Sequence, residues 1–324
     1  MARPEFHAQL LHPRYWATWF GFGVWYLLGK LPYRVQLILG RGLGWLLARV
    51  VPRRRKIACA NISLCFPELT EQQRQKLVDE VMESVGIAFF ETGMAWFWPV
   101  SRLRRQMSID GVEHLEAAKR DGVGVILMAL HFTHIDIGAK LLGLQFSIDG
   151  SYRPHKNSVF DYVQRNGRER HTMEGQAIPR EDVRGMVKAL RKGRAIWYAP
   201  DQDYGRSHSI FVPFFGVPAA TLTAMSQLSR LGKARVIPFT QTRKSDGSGY
   251  QLIVHPPLDD FPSGDEHRDC VAVNTIVETL IREQPGQYLW VHRRFKTRPE
   301  GEADLYQQYG VEGKRKRKKR SQYS

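Results

Sequence analysis

Three cysteines in 324 residues, Cys59, Cys65 and Cys270, form no C-x-x-C pair. The odd count and wide spacing exclude a disulfide framework and a cysteine zinc site, and fit a reducing compartment. Acidic residues are under-supplied: 32 Asp+Glu stand against 48 Lys+Arg, a formal net charge of +16. That excess calls for an anionic partner, either nucleic acid, anionic lipid or an acidic protein. No Gly-rich phosphate loop and no G-x-S-x-G elbow occurs, so neither a P-loop nucleotide site nor a hydrolase-type serine is indicated. At 43% hydrophobic and 25% charged residues, the composition excludes a disordered chain and a polytopic membrane protein. No repeat is evident.

A long uninterrupted apolar run is also missing. The nearest approach, Tyr15 to Gly29, has fifteen residues without charge, seven of them aromatic. As a helix it rises about 22 Å, short of the roughly 20 residues that cross a hydrocarbon core. Apolar character resumes through 35–39 and 43–51, so a tilted span or an inserted hairpin is expected, with Tyr and Trp in the headgroup zone. Arg14 precedes the run and Lys30 and Arg34 follow it, so flanking charge does not set an orientation. No small-residue cleavage site follows Leu28, against a signal peptide. The cluster Arg53-Arg54-Arg55-Lys56 suits an anionic leaflet. At the far end, Lys314 to Arg320 is seven consecutive cations, without which the body is still +9. The run reads either as a solvated tail or as a phosphate-binding one. No aromatic residue interleaves it, against single-stranded nucleic acid.

From about residue 110 the pattern becomes regular, within an α/β domain expected over about 105–300. A strand buried on both faces is expected at 123–130, further strands at 146–152, 195–199 and 288–291, and a hairpin at 235–243 and 250–255. Helices are expected at 112–120, 136–144, 158–170, 183–190 and 219–230, with a last one ending before Pro285. This is an α/β domain, a mixed sheet flanked by helices, preceded by an N-terminal membrane-inserted helix. The expected divisions are an anchor and juxtamembrane segment at 1–52, a catalytic domain at 53–310 and a basic tail at 311–324. The stretch Glu91 to Pro99, rich in aromatics, ends a helix and suits either the core or the membrane.

His131 follows the apolar strand at its carboxyl end, where α/β folds place their sites. Asp136 comes five residues later. The two are about 140° apart on one helix and can meet only across a turn that precedes a helix starting near His134. A carboxylate beside a histidine fixes its tautomer and makes it a general base. His131, His134 and Asp136 could alternatively serve a metal-dependent hydrolase, but no further His or Cys cluster completes a site. Asp201 and Asp203 again lie just after a strand. Arg153, Arg168 and Arg170 offer cations for a phosphorylated ligand or an oxyanion.

The H-x4-D spacing at His131 and Asp136 resembles the glycerolipid acyltransferase superfamily. Further segments resemble the late acyltransferases of lipid A biosynthesis, in their lauroyl/palmitoleoyl branch. They are Leu11-His-Pro-Arg-Tyr-Trp16, Cys65-Phe-Pro-Glu68, Glu91 through Pro99, Tyr152-Arg-Pro154, Ala199-Pro-Asp-Gln-Asp-Tyr-Gly205 and Gln287 through Pro299. The resemblance covers roughly residues 8 to 306. It implies a glycerolipid-acyltransferase-like fold at the bacterial inner membrane, with the catalytic domain facing the cytoplasm. It implies transfer of a fatty acyl group from acyl carrier protein to the hydroxyl of a 3-hydroxyacyl chain on a Kdo-bearing lipid A precursor. By motif, the catalytic pair falls on His131 and Asp136, and further important residues on Arg168 and Asp201. The donor arrives on phosphopantetheine, so no cofactor or metal is required. Anionic inner-membrane lipid is an expected partner and nucleic acid is not. Acyl carrier protein and the acceptor are both anionic, so Arg102, Arg104, Arg105 and His292-Arg293-Arg294 are candidate docking residues. Transfer to a glycerophospholipid is the neighbouring alternative.

Overall fold

A computed structural model describes residues 5–311 apart from 153, 174, 176, 180 and 181. Arg153 and the run Lys314 to Arg320 lie outside the described residues. Four helices come first: α1 (Trp16–Gly29), α2 (Tyr33–Val50), α3 (Pro52–Cys65) and α4 (Glu71–Phe97). Each boundary has a local cause. Pro52 opens α3, where its missing N–H has no helical partner to lose. Thr70 and Gln73 form a reciprocal capping box at the start of α4, and Pro99 follows its end.

The rest alternates. After α5 (Val100–Arg104) come β1 (Met107–Asp110), α6 (Val112–Arg120), β2 (Val125–Ala129) and α7 (Ile135–Gly143). They are followed by β3 (Ile148–Tyr152), α8 (Ser158–Glu169), β4 (Ala177–Pro179), α9 (Val183–Leu190) and β5 (Ala195–Tyr198). Next come β6 (Ser209–Phe214), β7 (Val217–Leu222), α10 (Ala224–Gly232), β8 (Arg235–Arg243), β9 (Tyr250–Val254) and α11 (Glu266–Glu283).

Seven strands form one mixed sheet in the order β1-β9-β8-β2-β5-β3-β4, and β6 and β7 form a separate hairpin. Within the sheet the β8–β9 pair is antiparallel and the other pairs are parallel. All five residues of the central β2 are buried, and its two faces feed two cores. Ile126 and Met128 pack with α9, α10, α11 and the first half of α4. Val125, Leu127 and Ala129 pack with α7, the second half of α4, and Phe22, Tyr33 and Leu37 from α1 and α2. So α1 and α2 lie on one side of the sheet, and α9 and α10 on the other. The contact between α2 and α4 is close: a Cβ on Gly44 would collide with the Met82 carbonyl.

Several local expectations change. The segment 219–230 is the end of β7 followed by α10. Leu222 and Thr223 break it, and its first residues pair antiparallel with β6. The strands β1, β4 and β6 were not expected: β1 and β4 have four and three residues, too few for a period to declare itself, and the six-residue β6 carries Pro213 and pairs only with its hairpin neighbour β7. Residues 288–291 are no strand. Tyr288 makes a single bridge to Phe132, and Leu289 N–H donates to the His131 carbonyl at 3.0 Å. This segment braces the turn after β2 instead of joining the sheet.

Among the described residues no single helix is long and apolar enough to cross a membrane; α2 and α3 together are, but they meet at a 95° bend. Trp16, Phe20, Val24 and Leu27 nevertheless form an exposed stripe along α1, and Val35, Ile38, Leu39, Trp45, Leu46 and Val50 another along α2. The opposite side of α1 is packed, with Trp25 stacked on Phe89 at 4.8 Å. The aromatic end of α4 belongs to the core, since Trp96 and Trp98 are 3% exposed.

Candidate active site

The parallel register of β2 and β5 pairs Met128 with Tyr198. Three residues beyond each of them stand His131 and Asp201, so the two strand ends deliver these side chains side by side. His131 Nδ1 lies 2.7 Å from Asp201 Oδ1, and the His131 backbone N–H donates to Oδ2 at 2.9 Å. A carboxylate accepts only, so Nδ1 carries the proton and Nε2 is the nitrogen left for chemistry. The Asp201 side chain is fully buried. Burial depresses the His131 pKa, but the charge and hydrogen bond of Asp201 outweigh it and leave the histidine raised. Burial likewise opposes the charge on Asp201, yet the His131 ring and backbone hold that carboxyl below its ordinary value.

Asp136 occupies the first turn of α7, where an anion is favoured. The turn that could bring it to His131 does precede α7, but its carboxylate is engaged elsewhere. Arg168 Nε donates to Asp136 Oδ1 at 2.9 Å, and Thr92 Oγ1 donates to Oδ2 at 3.5 Å. The geometry therefore gives the histidine to Asp201 and the arginine to Asp136. The spacing in sequence had placed Asp136, not Asp201, beside His131. His131, Asp136 and Arg168 all line one cavity of about 810 Å³. Its wall is largely apolar, including Phe146, Ile148, Met186, Trp197 and Leu228.

Arg170 donates from Nε to His171 at 2.7 Å and is not part of the cavity wall. Asp203 holds the loop after β5, accepting from the Gly205 and Thr297 backbones at 2.8 and 2.6 Å. His134 is buried, and its Nε2–H donates to the Gln241 carbonyl at 3.0 Å. Burial first, and Arg243 second, push its pKa down to about 4 despite Glu91, so it is neutral. Among the described residues no group of three His, Cys, Asp or Glu could hold a metal ion.

Three of the candidate docking cations have internal roles. Arg102 donates to the Gly29 carbonyl at 3.2 Å and stacks over Trp98, tying down the α1–α2 turn. Arg293 pairs with Asp304 at 2.7 Å. Arg294 is 2% exposed and donates to the Ala220 carbonyl at 2.8 Å. His292, a member of the same basic run, lies in the electrostatic reach of His131. Burial, then His131 itself, lower its pKa to about 4.

Lys140 was overlooked. On α7, 3% exposed, it donates to the Gly167, Arg168 and Arg170 carbonyls at 2.6, 2.9 and 2.6 Å. It thus caps the C-terminus of α8 and fixes the backbone that carries Arg168. Burial, then Arg170, lower its pKa to about 7 against Asp136 and Glu169, while three carbonyl acceptors use all three donors of the ammonium form. A single cation among Ile135, Ile137, Leu141 and Leu142 was the available signal. Lys140→Met leaves those carbonyls unsatisfied, at about 1–3 kcal/mol for such a group. The expected result is a lower melting temperature and a loss of the Arg168–Asp136 geometry, read as reduced turnover. Lys140→Arg, which keeps charge and donors, should recover most of both.

The sequence profile of the family described as bacterial lipid A biosynthesis acyltransferase matches residues 3–297. The lipid A biosynthesis lauroyltransferase of Escherichia coli (strain K12) is 46% identical over 304 residues, 94% of this chain and 99% of that protein. The palmitoleoyltransferase of lipid A biosynthesis from the same organism is 44% identical over 303 residues, 93% of this chain and 98% of the other. Its myristoyltransferase counterpart is 32% identical, covering 94% of each chain. With a match this long, and a histidine–carboxylate pair opening on an apolar cavity, the chain belongs to the bacterial lipid A biosynthesis acyltransferase family.

Proposed function

We propose that this enzyme transfers a lauroyl- or palmitoleoyl-type chain from acyl carrier protein to the hydroxyl of a 3-hydroxyacyl group on a Kdo-bearing lipid A precursor. The observation that carries the reading is His131: its Nδ1–H is committed to buried Asp201, and its ring borders the apolar cavity. His131 Nε2 takes the proton of the acceptor hydroxyl. The alkoxide attacks the thioester carbonyl, the carbon–sulfur bond breaks, and the imidazolium returns its proton to the departing thiolate. Asp201 orients His131 and stabilises the imidazolium. Base catalysis of this kind contributes about 10²–10⁴ in rate.

Asp136 acts through Arg168. Its carboxylate holds Nε, which leaves guanidinium donors for the tetrahedral oxyanion or for an acceptor phosphate. The apolar wall around Phe146, Ile148 and Trp197 suits the acyl chain. The exposed stripes of α1 and α2 suit the interfacial zone of the inner membrane, where Trp and Tyr are at home. On this reading the helices insert into the leaflet and the catalytic domain faces the cytoplasm.

Mass spectrometry of lipid A from cells with and without the gene tests the reaction. The expected result is loss of one secondary acyl chain, with fragmentation placing it on a 3-hydroxyacyl oxygen. Unchanged lipid A, together with acylation of a lysophospholipid by the purified protein, would show a glycerophospholipid acyltransferase instead.

A further inference from the structure

The donor of the proposed reaction is an acidic protein, and one face of this enzyme has the charge, apolar centre and location to receive it. Arg184, Lys188, Arg191 and Lys192 on and just after α9, with Arg230 and Lys233 at the end of α10, are all exposed. Over residues 182–192 and 224–235 the sequence supplies one acid, Asp182, and its carboxylate caps α9 through the Gly185 N–H at 2.8 Å. Nearby Asp121 is paired with Arg235 at 2.7 Å. Arg191 Nε donates to the Leu231 carbonyl at 2.8 Å and joins the two helix ends into one surface.

The centre of this basic face is apolar. Val183 is 50% exposed and Leu231 46%. Both residues line the surface groove between the cations, and both line the cavity that contains His131. The basic face therefore sits where that cavity reaches the surface. A prosthetic arm passing between Val183 and Leu231 would enter the space that His131 borders.

Anionic lipid is the competing occupant, and the fold argues against it. Met186 and Leu228, beneath the basic face, pack on the Ile126–Met128 side of the sheet. Phe22, Tyr33 and Leu37, beneath the apolar stripes of α1 and α2, belong to the core on the opposite side. A flat leaflet that takes up α1 and α2 does not also reach α9 and α10. We infer that the basic face of α9 and α10 is the docking surface for the acidic acyl-carrying protein, whose arm enters the catalytic cavity between Val183 and Leu231. This rests on the donor named under Proposed function.

The test uses full-length enzyme in mixed micelles, with lauroyl–acyl carrier protein as donor and the double variant Arg184→Glu/Lys188→Glu. The KM for the carrier protein should rise on the order of tenfold, as expected for reversing steering charges at a rim. The kcat should stay within about twofold, the acceptor KM should be unchanged, and the dependence of kcat/KM on salt should flatten. With lauroyl-pantetheine, which lacks the protein, variant and wild type should match; Lys188→Arg should keep the wild-type KM. An unchanged KM for the carrier protein overturns the proposal. So does an intact KM with weakened binding to phosphatidylglycerol vesicles, which would make the face a membrane contact. If wild type itself turns over lauroyl-pantetheine but not the carrier-protein thioester, the donor reading fails, and the docking proposal with it.

Discussion

Asp201→Asn is expected to lower kcat by about 10³–10⁴ while the protein remains folded, because an amide in that position no longer fixes the tautomer or stabilises the imidazolium. Asp201 meets His131 twice, at Nδ1 and at the backbone N–H. An asparagine can satisfy one of these contacts with its oxygen but must turn an NH₂ toward the other. The pH profile separates this role from a structural one. As the proposed general base His131 would act in its neutral form, and its pKa is raised because the charge and hydrogen bond of Asp201 outweigh burial. Wild-type activity should therefore fall as pH drops through a value above the ordinary 6.5 of histidine. Removing the Asp201 charge removes the attraction that raises it, so the residual activity of Asp201→Asn should keep its level to lower pH. Asp136→Asn should leave that limb where it is and act on KM or kcat through Arg168. The reverse pattern, in which the limb moves with Asp136 and not with Asp201, would return the supporting role to Asp136.

The second large effect concerns stability. Glu91 is 1% exposed and accepts from Arg243 at 2.7 and 2.9 Å and from Tyr250 Oη at 2.7 Å. Burial opposes its charge, and Arg243 more than compensates, so its carboxyl lies below the ordinary range. The pair fastens α4 to the edge of β8. The Arg243 backbone also exchanges hydrogen bonds with Gln287, whose own carbonyl accepts from Thr133. One buried ion pair thus joins α4, the sheet and the turn that carries His131. Glu91→Ala leaves an uncompensated buried guanidinium, at about 3–5 kcal/mol, or a melting temperature lower by on the order of 10 °C. Thermal unfolding followed by circular dichroism measures it. The double variant Glu91→Leu/Arg243→Met should regain much of the loss, because a well-packed apolar pair needs no desolvation of charge. A single variant that melts like wild type would show the pair to be dispensable.

Much of this could be read along the chain because the causes are local. The apolar run at 123–130 and the charge-free aromatic run at 15–29 each carry their own period and their own stops, and both formed the expected element. His131 stood out because a polar residue ends a buried strand. The strands β1, β4 and β6 escaped, as did the true nature of residues 288–291, because their bonding is set by neighbours far away in sequence. Arg293 and Arg294 looked like surface cations and became internal braces for the same reason. Lys140 was hidden because a cation is read as solvated until the carbonyls that desolvate it are in place.

By itself the sequence determined an α/β enzyme with an apolar amino-terminal region and a histidine at the end of its central strand. It also carried the motifs of its family over nearly the whole chain. Which carboxylate contacts that histidine was decided only by tertiary structure. Spacing within one segment favours Asp136, five residues away, whereas the parallel register of β2 and β5 places Asp201, seventy residues away, against Nδ1. A pattern in sequence encodes what a segment does along its own axis; which strands become neighbours depends on how the buried faces of the whole chain pack together. The same holds for the basic face of α9 and α10. Its charges are plain in the sequence, but their position at the end of the cavity that His131 lines, across the sheet from the apolar helices, exists only in the fold.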